Sequence, residues 1–145
     1  MKFSVRIPFV ELLGFELMSV GNGLSEIAFD GKEEHGNSFG AVHGGATMTL
    51  LDVVMANAAR SAHPDGMVDM GVVTIEMKTT FMQTSRGALL AKGRLIHRTA
   101  NMAFTEGTVF DAQGRVCSHA TGTFKYVKRL AAGRSVNALN VISTD

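Results

Sequence analysis

Residues 43–62 read HGGATMTLLDVVMANAARSA, and the fold turns on how this stretch is read. Leu50, Leu51, Val54, Met55 and Ala58 recur at helical spacing, which predicts a long helix with a broad apolar face. Thr47, Thr49 and Asn57 only dilute that face, and Pro64 and Gly66 end the run. A helix this apolar must be covered by another layer.

The residues that follow supply the cover, because the hydrophobic period changes to two. In MVDMGVVTIEMKTTFMQ (67–83), Gly71, Val73, Ile75, Met77 and Phe81 share one face, opposite Glu76 and Lys78. In GALLAKGRLIHR (87–98), Leu89, Ala91, Gly93 and Leu95 oppose Lys92, Arg94 and Arg98. Residues 102–128 read as two strands joined by a turn at Asp111-Ala112-Gln113-Gly114. Upstream, residues 15–31 predict two strands around a bend at Gly21-Asn22-Gly23. Residues 31–42 form a loop, and a short helix stopped by Gly14 carries Phe9, Leu12 and Leu13 on one side. Gly93, Gly107 and Gly122 fall inside predicted strands, where glycine weakens a sheet unless the sheet bends or something packs close. The expectation is an α+β domain over residues 1–130, an antiparallel sheet curling around one central helix, with a loosely ordered tail over 131–145.

Composition narrows the function. Hydrophobic residues make up 46% of the 145, enough for a core. A formal net charge of +1 gives no field suited to nucleic acid. The single cysteine, Cys117, cannot close an internal disulfide. Residues 1–18 lack the features of a signal peptide, and no window is apolar enough for a membrane span. A cytoplasmic protein with no membrane or nucleic-acid partner is expected. His35, His63, His97 and His119 show no metal-ligand spacing, so no metal is expected.

Two chemical signatures overlap before the helix. Gly36-Asn37-Ser38-Phe39-Gly40 fits G-x-S-x-G, but that elbow needs a buried strand directly before the serine and a helix directly after. Ser38 has a polar stretch before it and loop after it. His43-Gly44-Gly45 opens the helix, where backbone N–H groups lack partners and the dipole is positive. It is either a simple cap or a site for an anion such as an acyl oxyanion. Asp52 is either a solvated flank residue or a catalytic carboxylate. It lies about 12 Å along the axis from Gly44, too far to act on an oxyanion held by its own helix. A second helix, antiparallel across a two-fold axis, would bring Gly44 of one chain to Asp52 of the other. Gly45, Ala56 and Ala59, all small, lie near Asp52 around the helix.

The stretch NSFGAVHGGATMTLLD (37–52) follows the pattern N-x-x-G-x-x-H-G-G-x-x-x-x-L-x-D. With PFVELLGFEL, VVTIEMKTTFM and ATGTFKYV, it resembles the hotdog-fold acyl-CoA thioesterases of the phenylacetic-acid-pathway (PaaI-like) type, over about Pro8 to Lys128. The resemblance implies a curved sheet around a central helix, edge-to-edge dimers that often pair into tetramers, and active sites between subunits. It implies hydrolysis of an acyl-CoA, with Asp52 as general base or nucleophile and the Gly44 N–H on the thioester oxygen. His43 and Asn37 would shape that end, and Thr74 would hold the attacking water. A related branch has glutamate at position 52 and a hydroxyl one turn later, where this chain has Ala56. No cofactor beyond the coenzyme A of the substrate is implied. Gly45 and Met48 are candidate substrate contacts, and Arg98, Lys125, Lys128 and Arg129 candidate partners for its phosphates. The other methionines read more simply as core. A non-catalytic acyl-CoA-binding module on the same fold is the rival; it would tolerate loss of the aspartate. A hydratase would want a paired Asp and His that are not found.

Overall fold

The computed structural model describes residues 1–129, so the tail expected at 131–145 lies outside the described residues. In chain order its elements are α1 (Pro8–Leu13), β1 (Glu16–Gly21), β2 (Leu24–Gly31), α2 (Gly44–Ser61), α3 (Gly66–Asp69), β3 (Met70–Phe81), β4 (Gly87–Arg98), β5 (Met102–Phe110) and β6 (Val116–Lys128). All strand pairs are antiparallel, in the order β1-β2-β4-β5-β6-β3. The strand after the helix therefore joins the far edge, beside the last strand.

Helix α2 packs against all six strands. Leu50, Leu51, Val54, Met55 and Ala58 are each 0% exposed, as their spacing predicts. The leucines and Val54 each contribute roughly 1.5–3 kcal/mol of burial. The sheet closes on the helix where glycine permits it. A Cβ on Gly93 would stand 2.5 Å from the Val54 carbonyl oxygen. One on Gly107 would stand 3.1 Å from Met55 Cγ, and one on Gly122 3.0 Å from Met55 Cε. Gly93 and Gly107 are cross-strand partners, so the bare patch crosses two strands at one level. The glycines thus mark where the helix presses closest on the sheet, its backbone at Gly93 and its side chains at Gly107 and Gly122, and the sheet wraps around it as expected. At the β1–β2 bend, Asn22 and Gly23 take φ of 53° and 79°, the left-handed pair a tight hairpin needs.

Three details depart from the reading of the sequence. In α1, Val10 is the buried residue, while Phe9 and Leu12 face outward. A six-residue helix docks through Val10 with Leu13 packed partly beside it, and a full stripe has no room to develop. In α2, Thr47 and Asn57 are buried rather than incidental. In β3, Val73 and Ile75 are exposed, although they share the alternation of Met77. The pairing with β6 slips between Thr74, opposite Phe124, and Glu76, opposite Thr123. This bulge turns the strand over. Ahead of it Val72 packs on the core and Thr74 points at α2; beyond it Met77 takes the inner side.

Gly93→Ala should cost about 2–3 kcal/mol, because the added methyl meets helix backbone that has nowhere to go. Gly71→Ala, whose nearest neighbour would be a Val127 methyl at 3.6 Å, should stay within about 0.5 kcal/mol of wild type. Urea unfolding curves should separate the two by midpoint at unchanged slope.

Candidate active site

At the start of α2, His43 is the N-cap, and its Nδ1 accepts the Gly45 N–H at 2.8 Å. The imidazole proton therefore sits on Nε2. The His43 carbonyl accepts from Ala46 and Thr47. The Gly44 N–H has no acceptor among the described residues. Asn37 sets the loop in front of it: its Oδ1 accepts from Phe39 N–H at 2.9 Å and Ala41 N–H at 3.1 Å. The Phe81 ring flanks Gly44. These groups border a hollow of about 450 Å³ that includes Asn37, Gly44, Phe81 and Met82, and Arg86 closes it by donating to the Gly40 carbonyl. Ser38 lies exposed on the turn of this loop.

Two turns along α2, Thr74 Oγ1 donates to Asp52 Oδ1 at 2.6 Å. The bulge in β3 is what brings this hydroxyl to the helix side. Asp52 is half-buried, and burial raises its pKa above the ordinary 3.8 while the Thr74 hydrogen bond opposes the rise. It lines a second hollow, an open groove of about 580 Å³ with Phe9, Met48, Val53, Ala56 and Met77. One chain thus carries an open amide in one hollow and a primed carboxylate in another, about 12 Å apart along the helix axis.

Other expected residues fall as follows. Gly45 and Met48 line the Asp52 groove, and Ala56 flanks it, but Ala59 is fully buried and belongs to the core. Lys125 stands between buried Phe124 and Tyr126 and opposite exposed Val73, so it is on the outer face of the sheet. Arg98 ends β4 near Tyr126, and Lys128 ends β6 opposite Met70. None of these three lines the groove; Arg129 does. Met55 and Met70 are core, Met48 and Met77 border the groove, and Met82 borders the other hollow. The reading of the sequence did not single out Arg60 and Asn57, which are buried along the groove beyond Asp52. An arginine amid Ala58 and Ala59 in the last turn was the available signal. Among the described residues no group of three or more His, Cys, Asp or Glu converges as metal ligands, and no helix is long and apolar enough to cross a membrane.

Comparison with known proteins bears on the family and the fold. The Thioesterase superfamily model matches residues 39–118, and the chain belongs to that family. A candidate esterase of Halobacterium salinarum is 33% identical over 75 residues, which are 52% of this chain and 49% of that protein. The match thus spans about half the length of that relative. A conserved protein of Pseudomonas aeruginosa shares the fold at a TM-score of 0.78 and 26% identity, over 84% of this chain and 95% of the other. The Escherichia coli PaaI protein from the phenylacetic acid degradation operon superposes at 0.75 and 16% identity, over 82% and 83%. A Streptococcus mutans protein solved bound to acetyl CoA superposes at 0.74 and 19% identity, over 88% and 97%. The fold is the hotdog fold, as the residues and the resemblance led one to expect.

Because the folded state holds the Asp52 proton above pH 3.8, wild-type stability falls as pH rises through the interval between 3.8 and the raised pKa. In that interval the unfolded chain has already released the proton. Asp52→Asn lacks this loss, so its stability advantage should grow across the interval and then level off. Thr74→Val removes the bond that favours the ionised form and should move the Asp52 titration further up, read by carboxyl NMR.

Proposed function

We propose that this protein hydrolyses acyl-CoA thioesters to a free acid and coenzyme A. The observation that carries the proposal is Asp52, half-buried and hydrogen-bonded to Thr74 on the flank of a helix whose first N–H is open. Membership of the Thioesterase superfamily and the likeness to an acetyl-CoA-bound protein support it.

In this reading, Asp52 Oδ2 takes a proton from a water positioned beside Thr74. The water oxygen attacks the thioester carbonyl carbon. The negative charge that forms on the carbonyl oxygen meets the Gly44 N–H, aided by the helix dipole. The tetrahedral intermediate collapses, the carbon–sulfur bond breaks, and Asp52 returns the proton to the departing thiolate. His43 locks Gly45, and Asn37 holds the loop, so the amide keeps its aim. The raised pKa of Asp52 brings the base closer to working pH without an added group. Direct attack by Asp52 on the carbonyl is the other route; it expels the thiolate and forms a mixed anhydride with Asp52, which hydroxylamine added during turnover would intercept as an acyl hydroxamate. No metal or redox cofactor enters either route.

The two halves act together only across a dimer. β3 is an edge strand, and pairing it with its copy sets two α2 helices antiparallel. Gly44 then faces Asp52 of the partner subunit. Pairs of dimers would form a tetramer. Arg98, Lys125 and Lys128, off the groove, are available to the phosphates of coenzyme A where it leaves the seam.

Asp52→Ala should lower kcat by about 10²–10⁴-fold in a free-thiol release assay across acyl-CoA esters. Gly44→Pro should cost about 10²–10³-fold while leaving the helix intact, since proline is tolerated at the first helical position and His43 already has ψ of 137°. Mixing Asp52→Asn and Gly44→Pro chains should restore about a quarter of wild-type activity, because each heterodimer keeps one intact site. Undiminished turnover by Asp52→Ala would sink the mechanism; no restoration on mixing would sink the shared site.

A further inference from the structure

Beyond Asp52, the groove is not apolar to its end. Asn57 and Arg60 line it on α2, about 7.5 and 12 Å further along the axis, and Arg129 joins them from the end of β6. Arg60 is only 5% exposed. Its Nε donates to the Met70 carbonyl at 3.1 Å, and its Nη2 to Ser4 Oγ at 3.0 Å and to the Met67 carbonyl. That uses three of five N–H groups. Nη1 has no partner among the described residues, and it is not one of the sealed, unpartnered atoms, which are Ser25 Oγ, Thr79 Oγ1 and Ser118 Oγ. No carboxylate among the described residues comes within 4.0 Å of Arg60 or of Arg129. Asn57 Nδ2 donates to the Val53 carbonyl at 3.0 Å, and its Oδ1 accepts nothing among the described residues.

A buried guanidinium without a counter-charge is costly, and here a second cation adds to the cost. Burial, and then the charge of Arg129, lower the Arg60 pKa from its ordinary value to about 10. Three carbonyl and hydroxyl acceptors hold the guanidinium in place but do not neutralise it. Such a pair suits an anion.

We propose that Arg60 and Arg129 form an anion subsite for the far end of the acyl chain, so that the preferred substrates are thioesters of dicarboxylic acids. This rests on the thioesterase reading above and names its substrate class. The anion could reach the pair from the acyl chain or from a phosphate of coenzyme A. Arg60 lies deep, and a bulky nucleotide does not thread to a side chain so well covered, whereas a slim acyl chain does. Helical side chains lean back towards the N-terminus, which shortens the span from Asp52. At about 3.4 Å per three extended bonds, a chain of roughly six to ten carbons reaches from the thioester to the guanidinium.

The test compares adipyl- and suberyl-CoA with hexanoyl- and octanoyl-CoA. The carboxylated esters should show kcat/KM roughly ten- to a hundredfold higher. The preference should persist on N-acetylcysteamine thioesters, which carry no phosphate, and should collapse in Arg129→Gln and Arg60→Met. The ratio is taken within each variant, so a loss of folded protein scales both substrates and leaves it unchanged. If Arg60→Met does not fold, exposed Arg129 carries the test alone. Equal or faster turnover of the monoacyl esters overturns the subsite and leaves the thioesterase reading standing. A fall in kcat/KM of Arg129→Gln on hexanoyl-CoA that is absent on the hexanoyl cysteamine ester assigns the anion to coenzyme A and overturns it too. Failure to hydrolyse any ester overturns both readings.

Discussion

The contact between the α2 backbone and the bare stretch of β4 beneath it governs the rest of the molecule. At Gly93 the helix carbonyl of Val54 occupies the space a side chain would take. That closeness lets one helix reach all six strands and buries its apolar face completely. It also fixes the rotation of α2 about its axis. Once Leu50, Leu51 and Val54 point into the sheet, Asp52 has to stand on the flank, beside β3. The position of the carboxylate follows from core packing before any chemistry is considered.

The flank explains the electrostatics. A carboxylate fully in water would have an ordinary pKa and little basicity. One fully buried without a partner would stay protonated or destabilise the fold. Asp52 lies between these limits, partly desolvated and held by one short hydrogen bond from Thr74. At the N-terminus of the helix the capping is similarly incomplete. His43 satisfies Gly45 and leaves Gly44 open. Each feature is a small local deficit, and the two sit too far apart on one chain to serve each other.

Much of this was legible in the sequence. The 3.6-residue period of 43–62, the two-residue period after it and the mid-strand glycines predict a sheet wrapped on one helix, and the structure has it. Gly44 and Asp52 could be picked out from motif and spacing, and Thr74 from the family resemblance alone. The faces of β3 could not, because a bulge adds a residue without any mark in the alternation: Val73 and Ile75 look like core until the pairing with β6 is known. Arg60 was missed for a related reason. An arginine in the last turn of a helix reads as a favourable charge near the dipole, and its burial depends on Ser4, Met67 and Met70, which folding brings together from distant positions. Ala59 went the other way, since angle around a helix does not say how far a neighbouring strand reaches.

The supernumerary residue near Ile75 has a consequence for how this chain tolerates change in length. Removing it would restore unbroken alternation and give a more regular strand by every local measure. The hydroxyl that anchors the carboxylate, or else the methionine beyond it, would then rotate to the wrong side of the sheet. Substitutions along β3 alter one side chain at a time, but a single-residue deletion reverses half the strand. The irregularity is therefore a phase setting for the strand, which leaves this segment more open to a change of residue than to a change of length.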